Sequence, residues 1–156
     1  MERWESFDNA KWRSVAQSYY FQAGVRADGT LWLWGLTPPP AGGGFSKQLQ
    51  QVGKGTDWVD VALLFHKLAA LKEDGSLWEW DLTYSQMGHW VLAESPARLG
   101  IHSDWIALSS ADEGIVSLAA DGSLWYWRCN DYFYDQPLLA PSRRPAKITN
   151  ILDQHQ

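Results

Sequence analysis

A block of apolar and polar residues in fixed order occurs three times along the chain. In each block a Trp is followed 16 residues later by an Asp-Gly pair, and then by Leu-Trp-x-Trp. The blocks begin at Trp12, Trp58 and Trp105, which are 46 and 47 residues apart. Because side chains two residues apart share one face of a strand, the Trp pair lies on one face and the Leu before it on the other. A strand that is apolar on both faces has to be covered on both sides, as in stacked sheets.

The Asp-Gly pairs predict a hairpin turn within each block. Gly tolerates the positive φ that such turns need, and the Asp side chain accepts hydrogen bonds from the backbone that follows it. The apolar stretch 61–71 contains no helix breaker and in isolation is compatible with a helix. The equivalent stretches contain Tyr19-Tyr20-Phe21 and Gly114-Ile115-Val116, which favour strands, so we predict strands in all three copies. After the Trp pair, each copy has a long connection (36–45, 82–94, 128–142) and a short apolar return (49–52, 96–99, 145–148).

A period near 47 residues with about four short strands per copy is typical of β-propeller blades. We therefore predict an all-β fold in a single repeat domain of three blades, at about 12–57, 58–104 and 105–152. Residues 1–11 are predicted to form a lead-in strand, with Trp4 and Phe7 as candidate strand residues. The recurring Trp pair would pack between adjacent blades, where truncating one Trp costs on the order of 3–5 kcal/mol.

Three blades leave both ends of the stack open. Propellers have about four to eight blades, and uncovered apolar sheet faces and strand edges drive association. Two arrangements are compatible with the sequence: the chain is a fragment of a longer propeller, or copies assemble into a ring, for example two chains of three blades each. The initiating Met and the lead-in strand slightly favour a genuine chain start.

Composition and charge narrow the class of function. The 156 residues are 46% apolar and 20% charged, which is the composition of a globular domain. Nine of the eleven tryptophans stand at equivalent repeat positions, so they are predicted to be structural. The net charge of −5 disfavours a nucleic-acid partner, which requires a concentrated basic surface. With a single cysteine, Cys129, no internal disulfide can form.

The N-terminal segment and the apolar runs indicate where the protein works. Residues 1–8 lack the apolar core of a signal peptide. The longest purely apolar run, 61–65, is far too short to cross a bilayer. We therefore expect a cytoplasmic protein with no membrane partner.

No motif indicates catalysis or a metal site. No two of the four histidines have metal-ligand spacing along one strand, and the nearest acid–histidine pair, His102 and Asp104, lies in a predicted turn. Asp28, Asp74 and Asp121 recur in every copy, but each belongs to an Asp-Gly turn, where the capping of backbone amides explains it. The pattern Gly-x-Ser-x-Gly is absent. We therefore predict a protein that is not an enzyme and has no catalytic residue, metal or cofactor.

The long connections are the candidates for binding, because they differ between copies while the blade cores repeat. Binding usually resides on loops held by a rigid scaffold, and aromatic and Arg residues are favoured interface anchors. We therefore predict contacts to a protein partner from Trp90, Tyr132, Phe133, Tyr134, Arg143 and Arg144. The alternative is that these aromatic side chains fold back over the sheet edges.

The sequence Asp57-Trp-Val-Asp-Val-Ala, followed by Leu71-Lys-Glu-Asp-Gly-Ser-Leu-Trp-Glu-Trp, resembles the repeat of the regulator of chromosome condensation family. The resemblance extends from Trp12 to about Ile151, although Ser18, Leu64 and Ala111 stand where the family usually has Gly. It implies a β-propeller whose relatives include exchange factors for small GTPases, ubiquitin-ligase modules and bacterial enzyme inhibitors. We expect a non-enzymatic module that binds a protein through its variable loops. The alternatives are a regulator of a GTPase, an enzyme inhibitor, or a carbohydrate-binding Trp-rich propeller.

Overall fold

The computed structural model describes residues 9–35, 49–86, 89–111 and 114–128, together with the backbone of 146–147. Within this part every regular element is a β-strand, and the strands form three antiparallel sheets. The predicted all-β class is therefore confirmed. The helical alternative for 61–71 is wrong, because this stretch forms two strands joined by a turn at 64–66. The described residues include no helix that is long and apolar enough to cross a membrane.

The three sheets follow one another along the chain. The first sheet has its strands side by side in chain order, which are β1 (Trp12–Gln17), β2 (Gln22–Arg26), β3 (Leu31–Trp34) and β4 (Gln50–Gln51). The second consists of β5 (Trp58–Leu63), β6 (Lys67–Lys72), β7 (Leu77–Tyr84), β8 (Trp90–Leu92) and β9 (Ala97–Leu99). The third, again in chain order, consists of β10 (Trp105–Ala111), β11 (Gly114–Ala119), β12 (Leu124–Arg128) and β13 (Ala146–Lys147). The apolar return of each copy supplies a strand of its sheet, as the repeat predicts.

Within the residues that the structure describes, the second sheet has one strand more than the first and the third. Strand β7 pairs with β9 near its start and with β8 near its end. The sequence predicts a connection over 82–94, and this is wrong in part, since Leu82 to Tyr84 extend β7 and pair with β8. The apolar and aromatic residues of that stretch form a short hairpin. The hairpin extends the second sheet at the end of β7.

The predicted Asp-Gly turns are present in all three sheets. Gly29, Gly75 and Gly122 have φ of 80°, 79° and 83°, which residues with a Cβ rarely adopt. The Arg26 amide donates to the Thr30 carbonyl at 2.9 Å and closes the first of these turns. A turn with one left-handed residue joins strands in a three-residue hairpin loop.

A chain of hydrogen bonds explains the sequence Asp-Gly-Ser/Thr-Leu-Trp. Asp74 Oδ1 accepts both the Ser76 amide at 2.9 Å and the Ser76 hydroxyl at 2.6 Å. The same hydroxyl accepts the indole N–H of Trp78 at 2.8 Å. The arrangement recurs from Trp32 to Asp28 and from Trp125 to Asp121. The predicted capping role of these aspartates is confirmed.

The same hydrogen bonds set the charge of the turn aspartates. Those from Thr30 hold the pKa of Asp28 below its usual value, and those from Ser76 do the same for the pKa of Asp74. Both carboxyl groups are therefore ionised at neutral pH.

Two apolar cores separate the three sheets. The face of each sheet that bears the Trp pair, at 32 and 34, 78 and 80, or 125 and 127, is called the leading face. The opposite face, which bears Leu31, Leu77 or Leu124, is called the trailing face. In both cores the leading face of the later sheet packs on the trailing face of the earlier one. The first core includes Phe21, Leu31, Leu33, Trp58, Leu68 and Trp80. The second includes Leu71, Leu77, Leu99, Trp105, Ile115 and Trp127.

One carboxylate joins all three sheets. Asp60 lies on β5, and its Oδ1 accepts two hydrogen bonds. One comes from the Ser14 hydroxyl of the first sheet at 2.5 Å, and the other from the amide of the next residue, Val61, at 3.0 Å. Its Oδ2 accepts the Leu108 amide of the third sheet at 3.0 Å. Each sheet also has a register shift at this level, between the first Trp and the residue two positions on. The three bulges therefore occur at equivalent positions, and Asp60 lies at the one in β5.

Candidate functional site

Of the residues predicted to bind a partner, Trp90 is the one that the structure describes. Tyr132, Phe133, Tyr134, Arg143 and Arg144 lie outside the described residues. Trp90 begins β8, where it is paired with Tyr84 across the hairpin. The Ser85 amide donates to the His89 carbonyl at 2.8 Å and holds the two strands together near this end. Trp90 also packs, with Leu92, against the core between the first and second sheets.

Trp90 is the centre of a cluster of aromatic rings, here called the Trp90 patch. Its other members are Tyr19, Tyr20, Phe21, Phe65, His66 and Tyr84. Phe21 is fully buried and meets Trp90 edge to face, with centroids 5.2 Å apart and an interplanar angle of 89°. Phe65 and Tyr84 meet the same ring at 5.7 and 5.3 Å. Such edge-to-face pairs stabilise an aromatic cluster beyond the area that they bury.

Two turns and one hairpin bring the patch together. Tyr19 and Tyr20 lie in the turn between β1 and β2, and Phe65 and His66 lie in the equivalent turn between β5 and β6. The rings of Tyr20 and Phe65 are 5.4 Å apart, so the patch bridges the first and second sheets. The extension of β7 adds Tyr84. The patch therefore depends on the stacking of two blades.

Much of the patch faces solvent. Tyr19 is 80% exposed and Tyr84 63%, and Tyr20 and Phe65 are exposed as well. Single exposed apolar residues are normal on a protein surface, but a contiguous aromatic patch marks an interaction site. Tyr combines a large apolar ring with a hydroxyl that can form a hydrogen bond, which suits protein interfaces.

The charge around the patch is fixed by two neighbouring residues. Burial lowers the pKa of His66, so its ring is neutral at pH 7. Lys67 is paired with Asp81 at 2.8 Å and with Glu79 at 3.3 Å. Burial opposes the charge of Lys67, but the hydrogen bond that Lys67 donates to Asp81 and the negative charge of Glu79 outweigh it and raise the pKa of Lys67. The patch is thus an uncharged surface, and the charge of the neighbouring Lys67 is neutralised by Asp81 and Glu79.

The aromatic character of the connection predicts Trp90 as a binding residue, but it does not predict the residues that surround Trp90. The sequence does contain a signal for these residues. Tyr19-Tyr20 and Phe65-His66 stand at equivalent positions of adjacent copies, so both copies have aromatic residues in the same turn. The third copy has Asp112-Glu113 there. Neither turn needs an aromatic residue for its own geometry, so aromatic residues in both indicate a shared surface.

No metal-binding site is found among the described residues. No group of three or more His, Cys, Asp or Glu side chains within them is arranged to hold an ion. His102 and Asp104 do approach each other, with 3.9 Å between Nδ1 and Oδ1, and both side chains are exposed. A single exposed pair at this distance contributes little to stability or binding.

Solved structures identify the architecture. No family model matches the sequence, and no curated protein shows significant similarity to it. Yeast RCC1 (Prp20), in a crystal structure bound to Kap60, is 15% identical and superposes with a TM-score of 0.59 over 90% of this chain. Prp20p from Saccharomyces cerevisiae, which was studied for its binding to Gsp1p and histones, is 14% identical with a TM-score of 0.60, also over 90%. Human WBSCR16 is 16% identical with a TM-score of 0.60 over 86%.

These likenesses establish the fold. The chain has the blades of an RCC1-type β-propeller, and the resemblance seen in its repeat sequence is confirmed at this level. The chain spans 37% to 39% of the length of these structures. It therefore corresponds to part of such a propeller.

Proposed function

We propose that the protein is a non-enzymatic binding module that holds a protein partner at the Trp90 patch. The observation that carries this proposal is the exposed, uncharged aromatic surface that bridges two blades. Hot spots of protein interfaces are rich in aromatic residues and lie on well-packed supports. The rigid sheets supply that support, because Trp90 is anchored in the first core while Tyr19 and Tyr84 project from it.

The structural neighbours support the class of function. One of them is bound to Kap60 and another was studied for binding to Gsp1p and histones, so propellers of this fold are used to hold other proteins. The cytoplasmic location expected from the sequence remains a prediction. Completion of the stack by further blades, from the same chain or from another copy, is also a proposal.

The proposal is tested with a variant that keeps the fold. Tyr19→Ser combined with Tyr84→Ser removes the two most exposed rings of the patch and leaves Trp90 in its core contacts. The matched control is Ile101→Ser, because Ile101 is 86% exposed and lies in the connection between the second and third sheets. Proteins captured from source cells by the wild type and the control, and lost with the double variant, are then purified for direct titration. Loss of one hot spot of about 2 kcal/mol weakens binding by roughly 30-fold. Equal affinity of the wild type and the double variant would contradict a binding role for the patch.

Regulation of a small GTPase or inhibition of an enzyme is the second candidate, and it rests on the resemblance of the repeat to a family that contains such proteins. A nucleotide-release assay with candidate GTPases separates the two functions. If the protein accelerates nucleotide release and the Tyr19→Ser and Tyr84→Ser double variant does not, GTPase regulation as well as partner binding would be assigned to the Trp90 patch.

Carbohydrate binding is less well supported by the geometry. A sugar stacks on an open ring face, and the ring of Trp90 is surrounded by the rings of Tyr20, Phe21, Phe65 and Tyr84. The exposed rings of Tyr19 and Tyr20 meet each other edge to face at 80°, so they do not form a flat platform.

A further inference from the structure

We infer that two copies of this chain associate head to tail, with the leading face of the first sheet of each copy on the trailing face of the third sheet of the other. The inference is independent of the Trp90 patch. It follows from the way in which the three sheets already pack within one chain.

The two internal interfaces are heterologous, since each joins a leading face to a trailing face. A stack built by this rule always ends in one leading face and one trailing face. The leading face of the first sheet and the trailing face of the third are therefore complementary to each other in kind. A heterologous contact repeated between copies gives a ring when its rotation closes.

Burial at equivalent positions shows that, within the described part of the chain, apolar residues of the two end faces are exposed where their equivalents between sheets are covered. Val15 on the leading face of the first sheet is 69% exposed, whereas its equivalent in the second sheet, Val61, is 3% exposed. Leu124 on the trailing face of the third sheet is 42% exposed, whereas Leu77 is fully buried. Ile106 is exposed as well, although its equivalent Val59 packs against the second core. Apolar residues of this size are covered wherever a neighbouring sheet is present.

The Asp-Gly turns mark where the next sheet docks. The Trp58 amide donates to the Gly29 carbonyl at 3.1 Å, and the Trp105 amide to the Gly75 carbonyl at 3.3 Å. A Cβ built on Gly29 would collide with the Thr56 carbonyl oxygen, and one on Gly75 with that of Ser103.

The third Asp-Gly turn has the same backbone geometry, but among the described residues no carbonyl lies beside its glycine as those of Thr56 and Ser103 do in the first two turns. Gly122 has φ of 83°, and no atom of the described residues lies within 4 Å of a Cβ built on it. The position equivalent to Thr56 and Ser103 in the first copy of the repeat is Ala10. In the head-to-tail pair, Ala10 of one copy lies beside Gly122 of the other.

A second copy is the occupant that the geometry favours. It covers both end faces at once, through two identical contacts, and two sets of three blades make six, within the range of about four to eight found in closed propellers. The contact between copies is more polar than the contacts between sheets of one chain. The leading face of the first sheet has Gln17 and Gln22 at the positions where the second sheet has Leu63 and Leu68. Within the described part of the chain, the buried Oε1 of Gln22 has no hydrogen-bond partner. The association is therefore expected to be weaker than the internal packing and to depend on concentration.

The test is solution mass by light scattering on the whole 156-residue chain at several micromolar concentrations. The expected result is a species of twice 17.7 kDa that dissociates on dilution. Val15→Asp and Leu124→Asp each place a charge on one end face, and each is expected to give a monomer with an unchanged circular dichroism spectrum. Ile101→Asp puts the same charge on an exposed apolar position outside the end faces, and should leave the mass unchanged.

Mixing the two end-face variants separates a head-to-tail pair from any other dimer. The Leu124→Asp chain keeps its leading face and the Val15→Asp chain keeps its trailing face, so the mixture contains one intact contact per pair and regains the doubled mass. A symmetric dimer through like faces would not be restored by mixing. Absence of restoration, a wild-type monomer, or an open series of higher masses would overturn the two-copy ring.

A glycine pair provides an independent variant. Gly122→Ala adds a methyl group where the carbonyl of the second copy would dock, and should abolish the dimer. Gly53→Ala also introduces a side chain at positive φ with no described atom within 4 Å, so it carries a similar backbone cost. Retention of the dimer in Gly122→Ala, or its equal loss in Gly53→Ala, would contradict the proposed docking.

Discussion

Asp60→Asn tests whether one carboxylate couples the three blades. The two oxygens of Asp60 accept three hydrogen bonds, from the Ser14 hydroxyl and from the amides of Val61 and Leu108. An Asn at this position keeps one oxygen and replaces the other by an NH2 donor. In one orientation the NH2 meets the Leu108 amide, and in the other it meets the Val61 amide. Either way one backbone donor loses its acceptor and faces another donor.

The size of the effect follows from that lost acceptor. A donor left without a partner in a partly buried site costs about 1–3 kcal/mol, so Asp60→Asn is expected to lower the free energy of unfolding by about 2 kcal/mol. For a chain of this length each kcal/mol shifts Tm by about 2–4 °C, which predicts a fall of about 4–8 °C. Ser14→Ala removes one donor and should cost about 1 kcal/mol. Because both changes act on the same carboxylate, the double variant should be less destabilised than the sum of the two.

Urea unfolding followed by circular dichroism measures these differences. Asp104→Asn is the matched control, since it makes the same chemical change at an exposed carboxylate, which lies 3.9 Å from Nδ1 of His102. Exposed substitutions of this kind stay within about 0.5 kcal/mol of the wild type. The reasoning is refuted if Asp60→Asn also stays within that limit, or if Asp104→Asn destabilises the protein equally.

Two further predictions concern the Asp-Gly turns. Gly75→Ala should lower the free energy of unfolding by roughly 2–4 kcal/mol, because a left-handed Ala costs about 1–2 kcal/mol and its Cβ collides with the Ser103 carbonyl. Gly53→Ala carries the backbone cost alone and should lose only about 1–2 kcal/mol, and equal losses in urea unfolding would argue against the collision. Asp74→Asn removes a carboxyl whose pKa is lowered in the folded protein from 3.8 by hydrogen bonds from Ser76. The stabilisation by Asp74 is therefore present above pH 3.8 and lost as the pH falls through the lower folded pKa. The Tm difference between wild type and Asp74→Asn should shrink below that pH, and a constant difference across the titration would contradict the assignment.

The blade architecture could be predicted from the sequence because its determinants are local. The positive φ of Gly75 and the hydrogen bonds from Ser76 and Trp78 to the turn lie within five consecutive residues. Repetition of the same five-residue unit in three copies made the signal stronger than any single copy. The order of apolar residues on either side then fixed which faces of the strands are buried.

The site could be predicted only in part because it joins residues that are distant in the chain. Tyr20, Phe65 and Trp90 come from three different stretches, and the first two of these became neighbours only when the first two sheets stacked. Asp60 and its partners Ser14 and Leu108 illustrate the same limit, since 46 and 48 residues separate them in sequence. The β7–β8 hairpin was taken for a connection because its second strand is only three residues long.

The rule that a leading face packs on a trailing face has a consequence for how such chains diversify. If one complete unit of 46 or 47 residues, which is one blade, is removed or duplicated, the stack of blades still ends in one leading face and one trailing face. Every remaining contact between blades still joins a leading face to a trailing face. A deletion of a different length would instead leave a sheet with missing strands, and the apolar faces packed on that sheet would lose part of their cover. Gene copies that differ in length should therefore differ by whole units, and the stacking rule would act as a filter on which duplications persist.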